Sequence, residues 1–314
     1  MPTHNDWRSV LALIERIDEI LLDTEDRASI LVVDDASTRF EIGESYPVFE
    51  KIDSVEILCL NSNMGNQRAI AIGIGYLAQQ SGYDYLAVMD SDHEDDPTYL
   101  PALIRKSQAT GNFVFAERSR RSEGPLFVIC YRIYQVVFRF LVGHRISIGN
   151  YSVVPANLVR RLAHLSGLWM QYPSTIMREK IPFHTIPTKR GRRIDGKSAM
   201  RFSSLVAHGF AGFAVFADTV AARLMILSCL LLVVVTTAAG ALGYGFAIEA
   251  VSWPWFLGAL IVFLSVFAQF LLTAIVLMLV TLINRTAQPV IPYRDHSFYL
   301  RNIDSLDDFI ANSK

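Results

Sequence analysis

The sequence predicts an α/β domain built on a mainly parallel sheet, followed by interfacial helices and two transmembrane helices. Three observations carry that expectation. Apolar runs alternate between strand and helix patterns as far as Ala116, two long uncharged stretches lie toward the C-terminal end, and the charged residues separate by sign along the chain. Of 314 residues 52% are hydrophobic and only 19% charged, with a net charge of −1. Soluble domains carry about 25% charged residues, so part of this chain hides in something larger than an ordinary core. The apolar content excludes intrinsic disorder. Cys59, Cys130 and Cys229 are too few and too scattered for a disulfide-stapled scaffold.

The elements follow in order. Trp7 to Leu22 places Val10, Leu11, Leu13, Ile14, Ile17 and Leu21 at helical spacing. Ile30 to Val33 is a short apolar run rich in β-branched residues, suited to a buried parallel strand. Val55 to Leu60 reads as a second strand, Gly65 to Gln80 as a helix and Tyr83 to Met89 as a third strand. Pro97 to Gln108 reads as a helix with proline near its start, and Asn112 to Ala116 as a fourth strand. Alternation of this kind makes a mainly parallel sheet covered by helices.

Pro125 to Gly143 is nearly as apolar as a membrane span but carries Arg132 and Arg139. Burying both would cost about 2.5–3.5 kcal/mol each, so the segment reads as an amphipathic helix on the membrane or against an acceptor. Ala199 to Ala217 sets Phe202, Leu205, Val206, Phe210, Phe213 and Phe216 among small and polar residues, a second interfacial helix. Beyond it, 25 uncharged residues separate Arg223 from Glu249, and 35 separate Glu249 from Arg285. At about 1.5 Å per residue each run can cross a hydrocarbon core of about 30 Å. The link between them holds Trp253 and Trp255 and no Lys or Arg, whereas Arg201, Arg223, Arg285 and Arg294 flank the pair. The positive-inside rule puts both termini and the first domain in the cytoplasm, making a multi-pass protein of the inner membrane. Gly240, Gly243 and Gly245 permit close helix contact and a homo-oligomer through the spans. The expected domains are 1–198, an amphipathic helix at 199–222, the spans at 223–284 and a cytoplasmic tail at 285–314.

Residues 1–104 hold 6 basic and 20 acidic side chains, residues 105–201 hold 18 basic and 4 acidic. An acidic half suits a metal and hydrogen-bonded neutral groups, a basic half suits phosphates or an anionic membrane. No nucleic-acid partner is expected. In open α/β sheets ligands bind beyond the C-terminal ends of the strands. The residues there are Asp34, Asp35, Ala36 and Ser37, then Asn61 to Asn66, then Asp90, Ser91, Asp92, His93, Glu94, Asp95 and Asp96. The third cluster supplies hard oxygen ligands for Mg²⁺ or Mn²⁺, and such an ion helps a diphosphate depart. The same acids would also suit the start of the helix at Pro97.

Taken together, Asp34-Asp35-Ala36-Ser37, Asn63-Met64-Gly65-Asn66 and Asp90-Ser91-Asp92 resemble the nucleotide-sugar domain of family 2 glycosyltransferases, with the GT-A fold. Pro2-Thr3-His4-Asn5-Asp6 is similar to the motif that closes the first strand there. Arg193-Ile194-Asp195-Gly196-Lys197-Ser198, followed by an amphipathic stretch and two spans, resembles the polyprenyl-phosphate glycosyltransferases of the dolichol-phosphate mannose synthase type. The resemblance implies that Pro2, Asn5, Asp35 and Ser37 surround the base and ribose, with Asp34 and Asp35 on polar base edges. Asn63 and Gly65 would let the backbone approach the nucleotide. Asp90 would contact sugar or ribose, and Asp92 would bind the metal, with Asp90 and Glu94 as further ligands. Arg118, Arg121 and Arg193 would grip phosphate through their planar donor forks.

The implied reaction moves a hexosyl group from a nucleotide-diphosphate sugar to a polyprenyl phosphate such as undecaprenyl phosphate, with inversion and a divalent metal. A hydroxyl acceptor would instead require a carboxylate base, Asp95 or Asp96 being nearest. The chain departs from the family in three places. Its first strand is missing or shortened, Ile148 to Ser152 lacks an acidic residue common in relatives, and Ala199 stands where a lysine commonly follows the serine. These departures motivate a rival reading, a non-catalytic membrane scaffold with a degenerate fold. A processive polysaccharide synthase would bring more spans and a Gln-X-X-Arg-Trp motif, which this chain does not contain.

Overall fold

The structure is a computed structural model that describes residues 1–40, 48–118, 125–144, 148–189, 191, 210–248, 252–286 and 288–313. It divides into one unit of Met1–Cys130, Ile146–Val215 and Val290–Lys314 and a second of Tyr131–Arg145 and Phe216–Pro289.

In the first unit the chain runs β1 (Pro2–Thr3), α1 (Trp7–Leu21), β2 (Ala28–Asp34), β3 (Ile52–Leu60), α2 (Asn66–Leu77) and β4 (Tyr85–Val88). A 3₁₀ turn at Pro97–Tyr99 leads into α3 (Leu100–Thr110) and β5 (Phe113–Arg118). Helix α4 (Pro125–Val142) begins there and continues into the second unit. Then come β6 (Ile148–Pro155), α5 (Ala156–Ala163), α6 (Tyr172–Arg178) and β7 (Phe183–Thr188). The second unit holds the long helices α7 (Ala217–Ala247) and α8 (Trp253–Thr286). The chain then returns to the first unit with α9 (Pro292–Asp295), β8 (Leu300–Ser305) and α10 (Leu306–Ser313).

The strands form two four-stranded sheets in the orders β1-β2-β3-β8 and β4-β6-β5-β7. The β1–β2, β2–β3 and β5–β7 pairs are parallel, whereas β3–β8, β4–β6 and β5–β6 are antiparallel. The α/β class is as expected, but the pairing is mixed rather than mainly parallel, because β6 and β8 enter from later sequence and run against their neighbours. In β1, Pro2 and Thr3 pair with Val33 and Asp34.

Strand β3 explains the continuous apolar run at its end. Ile57 and Cys59 join the core beneath α1, while Leu58 and Leu60 pack on the opposite face with Ala69 and Ile72 of α2. A strand covered on both faces has no position for a polar side chain. On α1, Val10, Leu13, Ile14, Ile17 and Leu21 are all buried in that core, so its helical periodicity is the imprint of one buried stripe.

The segment 285–314 was expected to be a separate tail. Its residues from Val290 onward instead fold with the first unit. Strand β8 pairs antiparallel with β3 from Glu56 to Leu60, and Leu306, Phe309 and Ile310 of α10 enter the α1 core. The Phe309 ring lies 4.5 Å from Trp7 and 5.3 Å from Phe40, centroid to centroid. Between the spans and β8, the turn from Pro292 to Tyr299 lies against α2. A Cβ on Gly75 would stand 2.3 Å from the Pro292 carbonyl oxygen, so only glycine allows this approach. The alternation of β8 is that of an edge strand, with every second residue exposed.

In the second unit α7 and α8 pack on each other and are long and apolar enough to cross a membrane. Apolar side chains such as Ile226, Leu230, Val233, Ile261, Val262 and Leu272 are exposed along them. On α4, Ile133, Val136, Val137 and Phe140 form an exposed apolar stripe, with Phe138 and Val142 buried. Arg223 of α7 donates from Nη1 to the Phe140 carbonyl at 2.8 Å, satisfying an orphan acceptor at the end of α4. Of the second interfacial segment, residues 199–209 lie outside the described residues.

Phe309→Ala removes a ring from the core of the first unit from a position beyond both spans. It lowers stability by about 3–5 kcal/mol, read as a fall in the thermal midpoint of the full-length chain. An unchanged midpoint would place the C-terminal segment outside the domain.

Candidate active site

The residues that follow β1, β2, β3 and β4 converge at one edge. Three of them hold a left-handed backbone without being glycine: Asn5 at φ 56°, Ala36 at φ 54° and His93 at φ 62°. Each such residue costs of order 1–3 kcal/mol and persists only where its surroundings enforce it, which is a mark of functional loops. The enforcing bonds are visible. Asn5 accepts at Oδ1 from the backbone N–H of Thr38 at 2.7 Å and of Arg39 at 2.9 Å, and its own N–H donates to Ser37 Oγ at 2.8 Å. His4 Nδ1 donates to the Asp35 carbonyl at 2.8 Å. His93 Nε2 donates to the Ser9 carbonyl at 2.8 Å, and Ser91 Oγ donates to the Pro2 carbonyl at 2.8 Å. These bonds tie the turn after β4 to β1 and α1.

The two adjacent acids after β2 have separate tasks, as the period-2 geometry of a strand end dictates. Asp34 is wholly buried, accepting from Trp7 Nε1 at 3.2 Å and from the Ser37 N–H at 3.1 Å. It was expected on a base edge; here it turns inward and closes the loop that presents Ser37. Asp35 accepts from the backbone N–H groups of Met64 at 2.6 Å and Gly65 at 2.8 Å. Burial raises its pKa, and these two amides oppose the rise. Asp35 therefore fastens the loop Asn63–Gly65 to the end of β2. Gly65 itself adopts φ 85°, a backbone open to glycine at no steric cost, and Asn63 is exposed beside it.

Asp90 is half-buried and accepts at Oδ1 from Asn66 Nδ2 and Asn150 Nδ2, each at 3.1 Å. Its backbone N–H donates to Asp95 Oδ2 at 3.0 Å. Asp92 accepts from the Glu94 N–H at 3.0 Å, closing a tight turn. Among the described residues no three His, Cys, Asp or Glu side chains converge as a metal-binding group, so Asp90, Asp92 and Glu94 do not form a preassembled cage. Asn66 was named from the sequence only as the end of the Asn63–Asn66 motif, and Gln67 and Asn150 were given no role. The signal for Asn150 was its place in the stretch Ile148–Ser152 that lacks an expected acid.

Two acidic-turn carbonyls meet the basic half at Gly191. Its N–H donates to the Glu94 carbonyl at 3.0 Å, and a Cβ there would stand 2.1 Å from the His93 carbonyl oxygen. Of the expected phosphate-binding arginines, Arg118 ends β5. Arg121 and Arg193 lie outside the described residues.

Asp35→Ala strands two partly buried amides that now bond to a carboxylate, each such bond contributing about 1.5–3 kcal/mol. The expected outcome is a lower thermal midpoint together with loss of nucleotide binding in calorimetry. Asp35→Asn, which keeps one carbonyl acceptor, should fall between the two. Unaltered binding by Asp35→Ala would remove the loop from the site.

Comparison with known proteins places this geometry in a family. The family description "Glycosyl transferase family 2" matches residues 1–205. The chain is 26% identical over 129 residues to the uncharacterized glycosyltransferase YkcC of Bacillus subtilis, covering 40% of this chain and 38% of that protein. It is 27% identical over 157 residues to the undecaprenyl-phosphate 4-deoxy-4-formamido-L-arabinose transferase of Erwinia tasmaniensis, covering 48% of this chain and 45% of that protein. These matches thus span less than half the length of either relative. Among solved structures, glucosyl-3-phosphoglycerate synthase from Mycobacterium tuberculosis overlaps 70% of this chain and 77% of its own, at 15% identity and a TM-score of 0.45. With its family matched across more than half its length, the chain belongs to glycosyl transferase family 2.

Proposed function

We propose that this glycosyltransferase moves a hexosyl group from a nucleotide-diphosphate sugar to a polyprenyl phosphate at the cytoplasmic face of a membrane. The observation that carries the reading is a nucleotide-sugar type of site, built from four strand ends, in a chain that also holds two helices long and apolar enough to span. The undecaprenyl-phosphate relatives support the choice of acceptor.

Chain topology supports the membrane arrangement. The chain leaves the first unit at Val215 and rejoins it at Val290. Segments that fold together must lie on one side of a bilayer, so the stretch between them crosses an even number of times, and two spans satisfy this. The arginines flanking the spans favour the cytoplasmic side. The exposed stripe Ile133, Val136, Val137 and Phe140 follows the i, i+3, i+4, i+7 pattern and has the exposed Arg132 and Arg139 along one side, as suits a helix at the lipid headgroups.

The donor set fits a divalent metal. Asp90, Asp92 and Glu94 offer only hard oxygen donors, and Mg²⁺ is commonly held by one or two carboxylates plus substrate phosphates rather than by a protein cage. A set that is not preassembled suits that arrangement. Asp92 is the proposed principal ligand, with Asp90 and Glu94 beside it. When bound, the ion would neutralise the charge that the departing diphosphate gains.

The remaining work falls to the chain. Asn5, Asp35 and Ser37 would hold the loops that enclose base and ribose, and Gly65 would allow the backbone close to the nucleotide. An acceptor phosphate oxygen attacks the anomeric carbon as the bond to the β-phosphate oxygen breaks, and the nucleoside diphosphate leaves. The acceptor is already anionic at neutral pH, so no strong general base is needed, and catalysis rests on alignment and charge stabilisation. Arg118, Arg121 and Arg193 are proposed to grip phosphate. In the sequence Arg193 lies two residues beyond Gly191.

The test is a transfer assay with the purified full-length chain, a panel of UDP-, GDP- and dTDP-sugars, undecaprenyl phosphate, and Mg²⁺ or Mn²⁺. A lipid-linked sugar is expected with one donor. No transfer and no nucleotide-sugar binding would favour a non-catalytic scaffold. Asp92→Asn should reduce kcat/KM by about a hundredfold or more, the scale set by losing a charge stabiliser in the transition state. Near-normal transfer by Asp92→Asn in added Mn²⁺ would sink the metal assignment. Arg193→Ala should lose turnover while staying membrane-bound; the reverse pattern would make Arg193 a lipid anchor.

A further inference from the structure

Asp90 is held by a relay with a direction. The backbone N–H of Tyr172 donates to Gln67 Oε1 at 2.8 Å, Gln67 Nε2 donates to Asn150 Oδ1 at 3.0 Å, and Asn150 Nδ2 donates to Asp90 Oδ1 at 3.1 Å. The polarity is fixed at both ends, because a backbone N–H can only donate and an ionised carboxylate can only accept. Neither amide can turn over without forfeiting a bond on each side. The relay also starts from a rigid point. The Tyr172 side chain is fully buried, its hydroxyl pairs with Ser152 Oγ at 2.8 Å, and its ring lies 5.7 Å from Phe115. Asn66, the first residue of α2, adds a second donor to Asp90 Oδ1. Asp90 Oδ2 is held less firmly, by Asn150 at 3.4 Å.

We propose that Asn150 and Gln67 are positioning residues for the donor, acting through Asp90. The relay fixes the rotation of the carboxylate, spends Oδ1 on protein amides and leaves Oδ2 as the atom presented to the nucleotide sugar and its ion. This rests on the nucleotide-sugar reading above. It also gives a physical sense to the missing acid in Ile148–Ser152. A carboxylate in place of the Asn150 amide would set like charges face to face, whereas the amide supplies the donor that Asp90 needs. Gln67 touches neither the donor nor Asp90 in this scheme, so any effect of its replacement must pass through Asn150.

Donor binding to the full-length chain in detergent, measured by calorimetry with UDP-glucose, UDP-N-acetylglucosamine and GDP-mannose in EDTA and again in MnCl₂, tests the relay. For the probe that the wild type binds, Asn150→Ala should weaken binding by about tenfold to a hundredfold, the range for one hydrogen bond to a charged group. Asn150→Asp should weaken it further, with the thermal midpoint of each variant little changed. Gln67→Ala should weaken binding by a smaller factor, and the double variant should bind no worse than Asn150→Ala alone, since coupled residues are non-additive. Wild-type affinity in Asn150→Ala, or full additivity of the two changes, overturns the relay and leaves the transferase reading intact. If the wild type binds none of the probes in either buffer, that reading fails and takes the relay with it.

Discussion

A buried carboxylate must be met by donors, and that requirement organises the site. The strands end in acids, and an acid withdrawn from water at such an edge is costly unless it is hydrogen-bonded. The chain solves this with neutral donors drawn from separate segments. Asp34 takes the Trp7 indole and the Ser37 amide, Asp35 takes the Met64 and Gly65 amides, and Asp90 takes the side-chain amides of Asn66 and Asn150. Each carboxylate thus joins the end of its own strand to another element. The convergence of four strand ends is a consequence of satisfying charge, and the left-handed residues Asn5, Ala36 and His93 are the backbone strain that it imposes.

The return of the C-terminal segment constrains the rest of the molecule in a different way. With β8 paired to β3 and Phe309 stacked near Trp7, the polypeptide on both sides of the spans is held by one core. The two long apolar helices are thus inserted between parts of one folded unit, which the chain leaves at Val215 and rejoins at Val290. The same segment touches α2 through the Pro292 carbonyl at Gly75, and α2 begins with Asn66 and Gln67. The helix whose first turn holds Asp90 is therefore also the helix on which the post-membrane segment rests.

What was legible in the sequence was local or followed from a general rule of sheets. The stripe Val10, Leu13, Ile14, Ile17 and Leu21 is a helix because all five residues enter one core, and the acids after β2 and β4 drew notice because each directly follows an apolar strand run. Non-local pairing was hidden. Strand β8 reads Leu-Arg-Asn-Ile-Asp-Ser, too polar to announce a strand, and it becomes one only by completing the edge of β3 across two intervening spans. Strand β6 was missed because Ile148 to Ser152 mixes polar and apolar residues, and its place between β4 and β5 is set by tertiary pairing. Adjacent acids posed the same difficulty: sequence cannot say that Asp34 turns under the Trp7 indole while Asp35 turns toward the next loop. Gln67 carried no sequence signal, since its role exists only through Asn150 and Tyr172.

The nearly neutral net charge concealed two opposed halves, and a backbone contact at Gly191 brings them together. The contact at Gly191 is made by a backbone N–H and the Glu94 carbonyl, with the His93 carbonyl too close to admit any side chain. The ligand best matched to both signs at once is a diphosphate carrying a divalent ion, because it presents an anionic face to arginine and a cationic one to carboxylate. Glycine at position 191 is a requirement of the packing, because a Cβ there would collide with the His93 carbonyl oxygen.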